Sequence, residues 1–312
     1  MRVFRLPAIA AVCLHTVCGL GSAEMNEPET PDSFRVFLEQ SLERHPAGSA
    51  DVNAFYTRAF TFWNAHLRDF EEHPDPYQSL LSLYYKNQAH YPINYAPNID
   101  RFRPDIDKFK ELDARNTLPA HPILFVGSSS IVLWETALAF PSYPVVNRGF
   151  GGSALAEVNH FYDEVVKKYQ PAVIVLYCDN DIYLGDSPDL VLQRFEEFAT
   201  RVARDLPSTT VLFLSFKPTP SDAFYGEHVR ENAERANRVI KAYIATQKNA
   251  RFVDVAGAMF QAGKLRTDIF LADGMHLNEK GYALWNPIVG QQLAELYRPA
   301  SAKPQPDRER AH

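Results

Sequence analysis

The sequence predicts an α/β domain with a parallel sheet covered by helices on both faces, preceded by a mainly helical N-terminal region. Three observations carry that reading. From residue 122 onward, short apolar runs recur at 123–126, 144–146, 172–177, 210–216 and 251–255. Amphipathic stretches of helical length, 153–169, 187–206 and 228–248, lie between them, and 278–296 closes the series. Before residue 120 the apolar positions repeat near the helical period instead. Strands separated by helices need right-handed crossovers, which produce a parallel sheet.

Residues 1–23 read as an export signal. Arg2 and Arg5 form a basic start, an apolar run follows over 6–20, and Gly21-Ser22-Ala23 offers small residues before a cleavage point. The run is short of the ~20 residues that span a bilayer and His15 interrupts it, so no stable membrane span is expected after cleavage. The expected location is periplasmic or secreted. Cleavage would remove Cys13 and Cys18 and leave Cys178 alone, so no internal disulfide is expected.

Residues 24–119 form an N-terminal extension. Up to about residue 50 it is polar, rich in Pro and Glu, and reads as a loose leader. Over 51–116 it reads as helical: Phe55, Ala59, Phe62, Trp63 and Phe70 recur near the 3.6 period, and Pro104 suits a helix start. Its aromatic residues fit packing better than a sugar platform. The α/β domain spans 120–298, where Ser187-Pro188 makes a good cap and first helical position. The remainder, 299–312, is polar and expected to be disordered.

The composition, 46% hydrophobic and 22% charged, is globular. A net charge of −6 argues against nucleic acid as a partner. His66, His73, His90 and His160 show no ligand spacing, so no metal site is expected.

Four strand ends carry unusual residues, and sites in such sheets form at carboxyl ends. Gly127-Ser128-Ser129-Ser130 follows the first run, and "NRGFGGS", Asn147 to Ser153, follows the second. Cys178-Asp179-Asn180-Asp181 follows the third, and "DGMHLNEKGY", Asp273 to Tyr282, follows the fifth. Each alone is a weak signal; four on one edge are a strong one. A serine hydroxyl needs a base, which His276 can supply. Asp273, three residues earlier, can hold the imidazole tautomer. An oxyanion needs donors, and the Gly152 amide, the Asn180 side chain and the backbone amide of the serine itself qualify.

These segments resemble the SGNH (GDSL) hydrolase superfamily, in the branch of lysophospholipase-like esterases with "GSSSI..W" and "NRGxGG". The resemblance covers about 120–298 and assigns Ser129 as the nucleophile, with Ser128 at the position of the usual aspartate. It makes Gly152 and Asn180 oxyanion residues beside the Ser129 amide, and Asp273 and His276 the Asp-x-x-His pair. It implies a flavodoxin-like three-layer fold and ester hydrolysis without metal or cofactor. Cys178 departs from the glycine that usually opens the third block, and would be strained if that position needs φ > 0.

Short-acyl or O-acetyl esters, of small molecules or polysaccharides, are the favoured substrates because 120–298 is compact and shows no long apolar lid. A lysophospholipase-type lipid esterase and a catalytically impaired binding module for acylated glycans are the alternatives. A dinucleotide-binding dehydrogenase is a further rival: Gly149 to Ala154 fits G-x-G-x-x-A, and Asp179 could meet a ribose. It leaves Ser129 and the Asp273/His276 pair unexplained. Ser130 reads as a helix-start cap, Asp181 as a structural acceptor of loop amides, and Arg148 equally as a substrate contact or a surface ion pair. Lys217 reads as a residue at the site edge or in a solvated loop.

Overall fold

The structure, a computed structural model, describes residues 29–44, 46–91 and 99–297. The expected signal (1–23) and tail (299–312) lie outside these residues.

The N-terminal region holds helices α1 (Pro31–Leu42), α2 (Ser49–Glu72), α3 (Gln78–His90) and α4 (Arg103–Arg115). The leader expected over 24–50 therefore differs in one stretch. Thr30 caps α1, its hydroxyl accepting from the Ser33 amide at 3.3 Å, and Pro31 pre-sets the first turn. Phe34 and Leu38, one turn apart, are fully buried. Burial of two such side chains contributes roughly 1.5–3 kcal/mol each. Asp32, Arg35 and Glu39 around them leave this narrow face inconspicuous in the composition. Phe34 stacks on Phe62 with ring centroids 3.9 Å apart, so α1 closes an aromatic core with α2 and α3.

The five apolar runs form β1 (Ile123–Gly127), β2 (Val145–Gly149), β3 (Val173–Tyr177), β4 (Thr210–Leu214) and β5 (Ala250–Val253). All pair in parallel, in the order β2-β1-β3-β4-β5. Between them lie α5 (Ser129–Val132), α6 (Thr136–Ala139), α7 (Leu155–His160), α8 (Tyr162–Val165), α9 (Asn180–Tyr183), α10 (Pro188–Asp205), α11 (Asp222–Tyr225) and α12 (Val229–Ile244). Helix α13 (Glu279–Leu296) follows β5 and a short hairpin.

Every position of β1 and β3 is buried, which explains their unbroken apolar runs. Leu124, Val126, Ile174, Leu176, Val211 and Phe213 face one core, shared with α4, α7, α10 and α12. Ile123, Phe125, Val173, Val175, Leu212 and Leu214 face the other, under α5 and α13. This is the expected three-layer arrangement. Ser187 caps α10 by accepting from the Leu190 amide at 3.2 Å. The single helix expected over 153–169 is divided at Phe161. Asn159 explains the division: its side chain donates to the Arg194 carbonyl at 2.9 Å, and its own carbonyl accepts from Arg201. The end of α7 thus spends its polar groups on α10.

The strand order reverses between β1 and β3, where diverging crossovers open a crevice at the carboxyl ends. The N-terminal layer packs on that side through α11. Trp63 stacks on Phe224 at 4.8 Å, and the hydroxyls of Tyr84 and Tyr85 donate to the carbonyls of Phe224 and Ala223. No helix among the described residues is long and apolar enough to cross a membrane.

Candidate active site

The serine triplet begins on a forced turn. Gly127 leaves β1 at φ +137°, and a Cβ there would overlap the Tyr177 carbonyl oxygen. That same carbonyl accepts from the Ser128 amide at 3.0 Å. Glycine therefore lets the chain fold tightly over β3 before α5 starts at Ser129. Of the three serines, Ser128 and Ser130 are buried and Ser129 is half-exposed.

Ser129 Oγ lies 2.9 Å from His276 Nε2, and His276 Nδ1 lies 2.7 Å from Asp273 Oδ2. The other carboxylate oxygen, Oδ1, accepts from the amides of Met275 and His276 at 2.9 and 3.0 Å. A turn of this kind suits an aspartate that must face a residue three positions on. An imidazole donating from Nδ1 to the carboxylate keeps Nε2 free to accept from the serine hydroxyl. Burial pushes the Asp273 carboxyl up, but the hydrogen bond and charge of His276 and the two amides outweigh it and hold it below the usual carboxylate value. Ser221 Oγ donates to the Asp273 carbonyl at 2.6 Å and steadies the loop from α11's side.

The second strand end closes on Ser129. The Ser153 amide donates to the Phe150 carbonyl at 3.3 Å, with Gly152 at φ +79°, a type II turn that requires glycine at its third position. A Cβ on Gly151 would stand 4.0 Å from the Ser129 Cβ, so this turn lies against the serine. The amides of Ser129 and Gly152 take no backbone acceptor among the described residues. Asn180 Nδ2 donates to the Ser153 carbonyl at 2.8 Å and carries a second hydrogen. Thus all five residues singled out in the sequence converge on one edge.

Cys178 is not at positive φ, so the conditional strain does not arise. Its buried thiol donates to the Ser153 carbonyl at 2.9 Å, and burial pushes that thiol well up, away from thiolate chemistry.

The sequence reading missed what lies beneath the turn. Lys217 and Asp179 are both buried, with Lys217 Nζ 3.0 Å from Asp179 Oδ2. The ammonium also reaches the Tyr177 hydroxyl at 3.2 Å and Ser130 Oγ at 3.3 Å. Asp179 accepts from Ser128 Oγ at 3.3 Å and from the Tyr177 hydroxyl at 2.6 Å, and the Tyr282 hydroxyl donates to the Ser130 carbonyl at 2.8 Å. Burial pushes the Asp179 carboxyl up, but the Lys217 charge and these donors hold it below its usual value. The available signal was a lysine directly after an apolar run on the functional edge. Lys217 therefore lies on the site edge, as its place after β4 suggested, but buried there and not solvated.

Other expectations are corrected by the same contacts. Ser130 is not a cap; Ser128 holds the N-cap position of α5 without a capping bond, and Ser130 serves Lys217. Arg148 is neither a substrate contact nor a surface pair: it is buried and bonds Asp113 of α4, the Tyr169 hydroxyl and the Asn147 carbonyl. Asp179, locked under the serines, is not placed to meet a ribose. Asp181 accepts from the Leu155 amide at 2.8 Å and pairs with Arg194, and burial pushes its carboxyl up to about 6. Among the described residues no group of three or more His, Cys, Asp or Glu could hold a metal ion.

Compared with known proteins, residues 132–284 match the GDSL-like Lipase/Acylhydrolase family. That segment contains Gly152, Asn180, Asp273 and His276 and begins just after Ser129. The chain is also similar to a solved structure named "putative platelet activating factor" from Streptococcus pneumonia. The TM-score is 0.56 at 24% identity, covering 62% of this chain and 94% of that one. A GDSL-like lipase from Bacteroides thetaiotaomicron gives a TM-score of 0.53 at 18% identity, covering 64% and 98%. These two likenesses concern the fold. No curated protein matches the chain.

Proposed function

We propose that this chain, which belongs over residues 132–284 to the GDSL-like lipase/acylhydrolase family and is a hydrolase of ester bonds, works through Ser129, His276 and Asp273 as a nucleophile, base and orienting acid. The observation that carries this reading is the unbroken hydrogen-bond chain from Ser129 Oγ through His276 to Asp273, at 2.9 and 2.7 Å. Ser129 Oγ attacks the ester carbonyl carbon while His276 Nε2 takes its proton. The amides of Ser129 and Gly152 and the Asn180 side chain receive the oxyanion. His276 then returns the proton to the departing alcohol, leaving an acyl-Ser129. Water, deprotonated by His276, cleaves that ester and restores the serine.

Short-acyl or O-acetyl esters are the preferred substrates in this reading. A lipid ester is the second reading, favoured by the exposed side chains of Val132 on α5 and Leu271 two residues before Asp273. Hydrolysis of p-nitrophenyl esters of increasing acyl length separates the two: a rate that peaks at acetate supports the first, and a peak at long chains the second. In the same assay Ser129→Ala should lower kcat by at least about 10³-fold. Retention of the wild-type rate by Ser129→Ala would overturn the mechanism. We further propose that residues 1–23 direct export to the periplasm or the medium, so that the intact mass of the exported protein should lack them.

A further inference from the structure

We infer that Arg101, from the N-terminal helical region, is a positioning residue for the oxyanion side of the active site; the inference rests on the esterase reading above. Arg101 lies in a 3₁₀ turn, Ile99–Phe102, that leads straight into α4. Its Nη2 donates to the Gly152 carbonyl at 2.7 Å. The turn itself is anchored on the same loop: Phe102 is buried and meets Phe150 edge-on, with centroids 5.3 Å apart. The Arg101 guanidinium lies over the Phe102 ring at 4.3 Å, which restricts its approach.

Two other carbonyls of the Phe150–Ser153 turn are tied from within the α/β domain. The Ser153 amide binds the Phe150 carbonyl, and the Ser153 carbonyl takes Asn180 and Cys178. The Gly152 carbonyl takes its bond from outside that domain, and from a charged donor, which makes a stronger and shorter bond than a neutral one. Gly152 sits at φ +79° and, as glycine, has the widest choice of backbone conformations. A carbonyl held in place fixes the Gly152–Ser153 peptide plane and so limits the φ and ψ through which the preceding plane, which carries the Gly152 N–H, can turn. That N–H is the proposed oxyanion donor. Arg101 therefore acts on catalysis through Gly152, and lies outside the family segment at 132–284.

The test uses the full chain and p-nitrophenyl acetate. Arg101→Ala should lower kcat on the order of tenfold to a hundredfold, the scale of a misplaced catalytic group, with KM little changed. Guanidinium ion added at millimolar concentration should restore part of the lost rate in Arg101→Ala and none in wild type. Arg101→Lys should fall between the two proteins. Arg103→Ala, whose side chain pairs with Glu164 at 3.0 Å, should keep the wild-type rate. An Arg101→Ala protein with wild-type kcat, or a loss confined to KM, or a loss that guanidinium does not relieve, overturns the inference. Should Arg101→Ala not fold, Arg101→Lys carries the same kcat-against-KM reading. Ser129→Ala run alongside separates the failures: if it is inactive while Arg101→Ala is fully active, only this inference falls. If Ser129→Ala stays active, the esterase mechanism falls first.

Discussion

The carboxyl edge of the sheet and the aromatic layer of α1–α3 are held by opposite means. At the edge, charges are buried: Lys217 and Asp179 lie beneath the serine triplet and satisfy Ser128, Ser130 and Tyr177. In the layer, rings pack on rings, with Phe34 on Phe62 and Trp63 on Phe224. A buried ion pair is a poor source of stability but fixes geometry, because each donor and acceptor has one satisfactory direction. Ring packing stabilises without that directional demand. The two regions meet at the Asp273–His276 loop, where Leu67 of α2 occupies the space a Cβ on Gly274 would need. The layer therefore bears on the loop that carries the proposed acid–base pair while supplying neither of its residues.

The sharpest way to break this contrast is at the edge. Asp273→Asn should keep the fold and lower kcat by about 10⁴-fold, since an amide at that position misdirects the imidazole tautomer; a stopped assay against acetate esters checks it. Lys217→Met leaves Asp179 buried without its partner and should destabilise by about 3–5 kcal/mol. The double change Asp179→Asn/Lys217→Met should cost less than Lys217→Met alone, a coupling that denaturant unfolding of Lys217→Met, Asp179→Asn and the double variant measures. If the two effects merely add, the pair is not the unit described above.

In the layer, Trp63→Ala should destabilise by roughly 3–5 kcal/mol by leaving a cavity beside Phe224. It should also lower kcat modestly in the folded protein, because Phe224 and Ser221 belong to the segment that holds Asp273. An unchanged kcat would reduce the layer to a stabilising role.

A smaller effect comes from Asp181, whose carboxyl is raised to about 6. A raised carboxyl binds a proton in the folded state that the unfolded chain has already released. Stability from this group is therefore full below about pH 4 and declines as pH rises toward 6. Asp181→Asn should remove that decline, by at most about 3 kcal/mol, two units at 1.36 kcal/mol each. Unfolding free energies of both proteins at pH 4 and pH 7 test the sign. A wild type that gains on the variant as pH rises contradicts it.

Much of the fold was legible because β1 and β3, buried at every position, must be continuous apolar runs, and the half-buried edge strands β2 and β5 still left short ones. The helix Pro31–Leu42 was not, because one narrow face, Phe34 and Leu38, anchors it inside a stretch, 24–50, that is polar as a whole. The candidate site was legible where residue type and order carry the chemistry: Ser129, Gly152, Asn180, Asp273 and His276. Lys217 and Arg101 were not, because their partners, Asp179 and Gly152, lie far away in sequence.

The sequence by itself determined the alternation of strands and helices, the edge on which chemistry collects, and the middle serine as the candidate nucleophile. These follow from local pattern and from residue types at strand ends. Only the tertiary structure decided that Asp179 and Lys217 pair beneath that serine, that Arg148 ties α4 to β2, and that Arg101 grips the Gly152 carbonyl. The reason is physical. Periodicity is a property of neighbouring residues, whereas a hydrogen bond or an ion pair depends on a few ångströms between groups that only the packed chain brings together.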